Sequence, residues 1–310
     1  MDRDVLVLTG ATATGKSALS LEVARRTGAE IISMDSRQVY RGMDIGTAKL
    51  LATERAGVPH HGIDLVEASE RYSAGRYARD AWQYIDDIRS RAKPILLVGG
   101  TGFFLRALTH PLFREPELPA SRRASLEGYL QQQPEERLRL WAALLEGSAS
   151  VPGDRQRLAR IIEVGTLSGH SLGWWHLNAP PAHTPLDARV VVLELPRAVL
   201  YERIDARVLD MVQHGLVDEV RALRAAGFGE ADPGMNATGY REVLAHLERH
   251  MTLADAITLT QAATRRYARR QLTWFRHQLP EGAVHLDART PADELATRIV
   301  QTLMWEEVAV

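Results

Sequence analysis

Cysteine does not occur in the 310 residues. Disulfides and thiol nucleophiles are therefore excluded, and any metal must be held by oxygen or histidine. Lysine is nearly absent: Lys16, Lys49 and Lys93 are the only three among 38 basic residues, so arginine carries the positive charge. No charge of either sign dominates, since the net charge is −1. A global basic field that would draw in nucleic acid is missing, and only a local concentration of arginine could serve that purpose. No apolar run approaches the length of a membrane span. The N-terminal MDRDVLVLTG has no basic region, long apolar stretch or small-residue cleavage site of a signal peptide. The expectation is a cytoplasmic protein without membrane contact. There is no internal repeat and no low-complexity tract. The composition is otherwise that of a globular protein, 45% hydrophobic and 25% charged, long enough for one elaborated domain or two smaller ones.

Along the chain, Val5–Leu8 is a short apolar run before a glycine turn and reads as a buried strand. Ser17–Arg26 has helical spacing, Glu30–Ser33 reads as a second strand, and His61–Leu65 as a short third. Ser73–Ala92 reads as a helix with Ser73 as N-cap. Pro94–Val98 is a strand ending in Gly99-Gly100, followed by a helix at Phe103–Leu108. Alternating strands and helices predict an α/β fold with a parallel, doubly wound sheet of the P-loop type. The segment 115–185 contains only helical patterns (Ser121–Gln132, Glu135–Leu145, Arg157–Thr166) with proline at its margins, and reads as a helical insertion. The core is then 1–114 with 186–310. A strand at Arg189–Leu195 precedes four helices, at Leu200–Gln213, Leu216–Ala226, Arg241–Glu248 and about 254–277. Val284–Leu286 reads as an edge strand and Leu295–Met304 as a last helix.

Gly10-Ala11-Thr12-Ala13-Thr14-Gly15-Lys16-Ser17 fits the phosphate-loop pattern between a strand and a helix, where its mechanism requires it. The glycines let backbone amides wrap an anion at a helix N-terminus. Lys16 adds a point charge, and Ser17 offers a hydroxyl to Mg²⁺, the cofactor expected here. ATP or GTP is the usual ligand of such a loop. A second acid for a nucleotide-bound metal should end another strand, and only the Asp35 segment offers one. A non-nucleotide diphosphate therefore stays open. Asp35 ends the second strand beside this loop, although spacing alone also allows Asp35 and Ser36 simply to cap a turn. His60 and His61 have no third ligand at metal spacing and read as structural. Arg203 and Arg207 are four apart on one helix face, which by itself reads as surface ion pairing with Glu202 or Asp210. Trp174, Trp175, Trp274 and Phe275 read as packing.

The run from Asp35-Ser36-Arg37-Gln38 through Tyr40 to Gly42-Met43-Asp44-Ile45-Gly46-Thr47-Ala48-Lys49 resembles the signature of the bacterial-type tRNA dimethylallyltransferases, also called tRNA isopentenyltransferases. Similar stretches follow in the family's order: Pro59-His60-His61 with Asp64, Tyr72-Ser73-Ala74 with Arg79-Asp80-Ala81, Gly99-Gly100-Thr101, Gln156-Arg157-Leu158 with Arg160, Gly239-Tyr240-Arg241, and Thr264-Arg265 through Arg270-Gln271-Leu272-Thr273-Trp274. The resemblance spans residues 5–277. The chain departs from the pattern at Ala11 (usually proline), Gly62 (leucine), Asn236 (arginine) and Arg266 (glutamine).

The resemblance implies transfer of a dimethylallyl group from dimethylallyl diphosphate to N6 of adenosine 37 in tRNAs with uridine at 36. It implies Asp35 as general base, and Lys16, Arg207 and Thr12 as further catalytic residues. The diphosphate would be bound by residues 10–17. It implies tRNA contacts at Asp35, Ser36, Arg37, Gln38, Thr101, Arg123, Gln156, Arg157, Leu158, Ala159, Arg160, Asn236, Gly239, Tyr240 and Arg241. Arg265, Arg266, Arg269, Arg270 and Arg276, interleaved with Tyr267, Trp274 and Phe275, suit phosphate contact and base stacking. The expected partner is the anticodon stem-loop, and the expected state a monomer. Three rival readings remain: a P-loop small-molecule kinase, an isopentenyltransferase acting on free adenine nucleotides, and a nucleotide-binding switch without catalysis.

Overall fold

A computed structural model describes residues 5–304 apart from 112, 115 and 117. The N-terminal MDRD and the expected boundary at Glu115 lie outside the described residues. The chain falls into two compact units. One runs to Thr109 and resumes at Leu186, and the other is His110–Pro185.

The first unit is built on a six-stranded, all-parallel sheet in the order β3-β2-β4-β1-β5-β6. The strands are β1 (Val5–Gly10), β2 (Glu30–Ser33), β3 (His60–His61), β4 (Ile95–Val98), β5 (Arg189–Glu194) and β6 (Val284–Asp287). Both faces are covered, as parallel sheets require. Leu6 and Leu8 of β1 face one core, shared with α1 (Lys16–Thr27), α8 (Arg197–Gln213) and α12 (Ala292–Met304). Val5 and Val7 face the other, shared with α2 (Ala74–Ser90) and α3 (Gly102–Thr109). The chain leaves β1 to form β2, yet β4 lies between them. The strand order thus reverses at β1 and β4, and the loops after these two strands flank the crevice where such sheets take their ligands.

Strand β3 is shorter and earlier than the periodicity of His61–Leu65 suggests. Gly62 and Asp64 adopt φ of +76° and +54°, conformations that end a strand. Helix α2 begins as expected, with the Ser73 hydroxyl accepting the Arg76 amide at 3.1 Å. A third core gathers Val39, Tyr40, Met43 and Val66 against α9 (Leu216–Ala225) and α10 (Tyr240–Leu247). The long α11 (Leu253–Gln278) starts at a Thr252 cap.

The second unit packs α4 (Ala120–Gln131), α5 (Glu135–Glu146), α6 (Arg155–Ser168) and α7 (Leu172–Asn178) around Leu130, Leu138, Leu158, Ile161 and Ile162. Asp154 caps α6 through the Arg157 amide, at 3.0 Å. The short α7, missed by periodicity, is capped by Ser171 and held by Glu146, which accepts the Leu172 and Gly173 amides at 2.8 and 3.1 Å. Trp174 is exposed rather than packed as expected, and stacks on His170 with centroids 3.9 Å apart. Trp175 instead donates its indole N–H to Ser168, at 2.8 Å.

Candidate active site

A cavity of about 350 Å³ opens at the reversal point of the sheet, and Lys16, Ser17, Asp35, Arg207, Tyr267 and Gln271 are among its lining residues. The loop after β1 wraps tightly. Gly10 has φ +149°, and a Cβ there would sit 2.5 Å from the Leu193 carbonyl oxygen, so no other residue fits. The Thr14 hydroxyl closes the turn onto the Ala11 carbonyl at 2.9 Å. Lys16 Nζ donates to the Gly10 and Ala11 carbonyls at 2.9 and 2.7 Å. No acidic residue occupies the first turn of α1, which leaves the positive end of the helix dipole facing an anion site.

Three charges from three elements meet here. Burial and the neighbouring Arg207 guanidinium push the Lys16 ammonium down to about 7, against the opposing pull of Asp35. Burial also lowers Arg207, which Asp35 and Asp210 partly counteract. The reading of Arg203 and Arg207 as a surface ion-paired face does not hold for Arg207. Its guanidinium lies half-buried and donates to the Thr12 hydroxyl at 3.4 Å. Thr12 Oγ1 is therefore an acceptor at the loop.

Asp35 does two things that spacing left as alternatives. One oxygen accepts the Arg37 amide at 2.8 Å and shapes the turn, while the carboxylate lines the cavity. The Ser36 amide donates to Thr101 Oγ1 at 3.1 Å, joining the ends of β2 and β4. Beside Thr101, the Tyr267 phenol is pushed up to about 12 by burial and by Asp35. Gln38 is held by the Ser33 hydroxyl at 2.9 Å.

The segment 44–49 is clamped from outside. Glu219 accepts the amides of Asp44, Ile45 and Gly46 at 2.9, 2.7 and 3.2 Å, and the Tyr240 hydroxyl donates to it at 2.5 Å. A Cβ on Gly46 would meet the Tyr240 ring at 2.4 Å. Lys49, buried, reaches Asp44, Asp64 and the Tyr40 carbonyl at 2.7, 2.6 and 2.8 Å. His61 pairs with Glu30 at 2.8 Å, and His60 bonds the Val58 carbonyl at 2.8 Å. Among the described residues no three metal-ligating side chains cluster.

A family model described as IPP transferase matches residues 38–278. The chain belongs to the IPP transferase family. A second model, isopentenyl transferase, matches residues 3–61. The chain is 42% identical over 283 residues to a tRNA dimethylallyltransferase of Caulobacter sp. (strain K31), covering 90% of this chain and 92% of that one. It is 41% identical over 300 residues to one from Anaeromyxobacter sp. (strain Fw109-5), covering 95% and 98%. Among solved structures, the tRNA isopentenylpyrophosphate transferase of Bacillus halodurans superposes with a TM-score of 0.71 at 33% identity, covering 97% and 96% of the two chains. A eukaryotic dimethylallyltransferase acting on tRNA gives 0.78 at 26% identity, covering 97% of this chain and 77% of that one.

Within this IPP transferase fold, the residues expected from sequence to bind RNA separate by burial. Gln156 and Arg157 are exposed on α6, with Ala159 and Arg160 half-buried beside them. Leu158 is fully buried in the core of the second unit, and Tyr240 is fully buried behind the 44–46 segment. Neither side chain reaches the surface, so an RNA contact at these two positions would run through the backbone. Arg123 pairs with Glu163, which Arg160 also reaches at 3.3 Å. Arg265 is likewise committed, to Asp205 of α8. Asn236 is exposed and bonds the Asp232 carbonyl at 3.3 Å, and Arg241 pairs with Glu242, which also accepts the Gly239 amide at 2.8 Å. Phe275 packs as expected, and Trp274 is half-buried against α3. Sequence reading missed Gln271 and Glu219. Gln271 was visible as a polar residue on the apolar face of α11, whereas Glu219 gave no signal beyond a helix-start acid.

Proposed function

We infer that this chain is a tRNA dimethylallyltransferase: it moves the dimethylallyl group of dimethylallyl diphosphate onto N6 of an adenine in tRNA. One observation carries this reading. Lys16, Arg207 and the N-terminus of α1 gather positive charge at one end of a cavity whose lining also includes the Asp35 carboxylate. That is the charge pattern for a substitution in which an anion leaves and a proton is removed, and the chain carrying it has relatives named for that transfer.

The exocyclic amine of adenine is a weak nucleophile because its lone pair is delocalised into the ring. Asp35 takes the N6 proton as the N–C bond forms and the C–O bond to diphosphate breaks. Charge develops on the leaving diphosphate, and the loop amides, Lys16 and Arg207 stabilise it. The Thr12 hydroxyl orients Arg207. The Ser17 hydroxyl lines the same cavity, and with no cluster of ligating side chains among the described residues, Ser17 and diphosphate oxygens would hold Mg²⁺. That suits an ion that keeps most of its waters. Bound there, the ion would supply further positive charge at the leaving group.

The acceptor in this reading is adenosine 37 of tRNAs with uridine at 36, turned out of the anticodon loop so that it can enter the cavity. Arg266 and Arg269 are exposed on α11 and have no acidic partner among the described residues, and Arg157 is exposed on α6. These are the cations that suit RNA phosphates. No helix among the described residues is long and apolar enough to cross a membrane, and the reading places a monomeric enzyme in the cytoplasm. Asp35→Ala tests the central step. Single-turnover transfer should fall by roughly 10²–10⁴ while tRNA affinity stays near wild type. Near-normal transfer would remove Asp35 as the base.

A further inference from the structure

Helix α11 reaches both halves of the site, and it does so with two polar residues one turn apart. Gln271 is buried. Its Oε1 accepts the Thr12 amide of the phosphate loop at 2.9 Å, and its Nε2 donates to the Gly100 carbonyl, also at 2.9 Å. The amide group is used at both ends, and its orientation is fixed because one neighbour donates and the other accepts. A Cβ on Gly100 would come within 2.3 Å of Nε2, so the turn after β4 is pressed against this side chain. One helical turn earlier, Tyr267 lies beside Thr101. Thr101 in turn accepts the Ser36 amide, next to Asp35. A purely space-filling role at this position would be met by leucine without burying an amide.

We propose that Gln271 is a positioning residue that sets the distance between the phosphate loop and the turn carrying Thr101, and through Thr101 the Asp35 segment. Substitution at an allylic carbon needs the entering nitrogen and the leaving oxygen in line, and a misplacement of about 1 Å costs on the order of 10²-fold in rate. Among the described residues, Gln271 is the one side chain that bonds directly to the loop on the leaving-group side and to the turn on the acceptor side. The inference rests on the transferase reading for its reaction, but its geometry is also read by diphosphate binding alone.

Gln271→Leu keeps the approximate volume and removes both bonds. Gln271→Glu keeps the acceptor for Thr12, and only its protonated form can donate to Gly100. Burial raises a carboxyl group's pKa, so the Glu variant regains the donor as pH falls. The expected results are a loss of about 10²-fold in single-turnover transfer for Gln271→Leu, a smaller loss in affinity for inorganic diphosphate, and unchanged tRNA affinity. Relative to wild type at each pH, Gln271→Glu should recover transfer between about pH 8 and pH 6, and Gln271→Leu should not. A folded Gln271→Leu that transfers at the wild-type rate overturns the proposal. So does a Gln271→Glu that is no better than Gln271→Leu at acid pH, or whose loss follows unfolding measured by circular dichroism at the same pH. If the wild-type protein transfers nothing to tRNA, the transferase reading fails. The hold of Gln271 on the loop is then decided by whether Gln271→Leu binds inorganic diphosphate more weakly than wild type.

Discussion

Binding of a diphosphate at residues 10–17 should take up a proton, and Lys16 is the group that receives it. Burial, with the Arg207 guanidinium beside it, holds the Lys16 ammonium at about 7 instead of the usual lysine range, with Asp35 pulling the other way. A bound diphosphate places negative charge against the amine and raises its pKa. Below about pH 7 the amine is already charged, and this group adds no pH dependence to affinity. Above that pH the neutral amine must be protonated for the bound state, so affinity falls by up to tenfold per pH unit, about 1.4 kcal/mol, until the raised pKa is reached. At about pH 8 the free amine is roughly one-tenth charged, and binding should take up about 0.9 proton. Titration calorimetry in two buffers of different ionisation enthalpy measures that number. Lys16→Arg stays charged throughout, so the ligand's own ionisation cancels in the comparison and the uptake assigned to Lys16 should vanish. Equal proton uptake in wild type and Lys16→Arg would refute the reasoning.

Arg157→Ala should flatten the dependence of log K for tRNA on log salt by about 0.7–0.9, the value of one phosphate contact, without lowering thermal stability. An unchanged slope would remove α6 from the RNA site. Arg123→Ala differs in kind. Its partner Glu163 links α4 to α6, so unfolding temperature should drop, and a variant that melts like wild type would show that the pair stabilises nothing. Glu219→Gln withdraws a carboxylate that receives three amides and the Tyr240 hydroxyl. It should cost about 1–3 kcal/mol in urea unfolding and speed proteolysis between residues 44 and 49. Unchanged unfolding would mean that the loop holds itself.

Most of the fold could be read because its signals are local. The apolar runs of β1, β2, β4 and β5 and the helical spacing of α1, α2 and α11 appear within single windows of sequence. What failed was set by single backbone angles or distant partners. His61–Leu65 alternates like a strand, but Gly62 and Asp64 turn it. Helix α7 is seven residues long and depends on Glu146, a residue of another helix. The site showed the same division. The phosphate loop declares itself by pattern, whereas spacing alone left Asp35 as a possible turn cap and Arg207 as a surface arginine; the family resemblance singled out both, and the contact of Arg207 with Thr12 is visible only in the fold. Gln271 lies 259 residues from the loop amide it holds, beyond the reach of any spacing argument. Burial also limits what two of the expected contacts can offer. Leu158 and Tyr240 fall within motifs that resemble RNA contacts, yet both point into cores.

The most direct test of the account is incubation of the wild-type protein with labelled dimethylallyl diphosphate, with either unmodified tRNA or AMP as acceptor. Label should appear in tRNA at the adenosine next to the anticodon, dependent on Asp35, and none in AMP. Label in AMP with tRNA left unmodified would contradict it and move the protein to the free-nucleotide class of isopentenyltransferases.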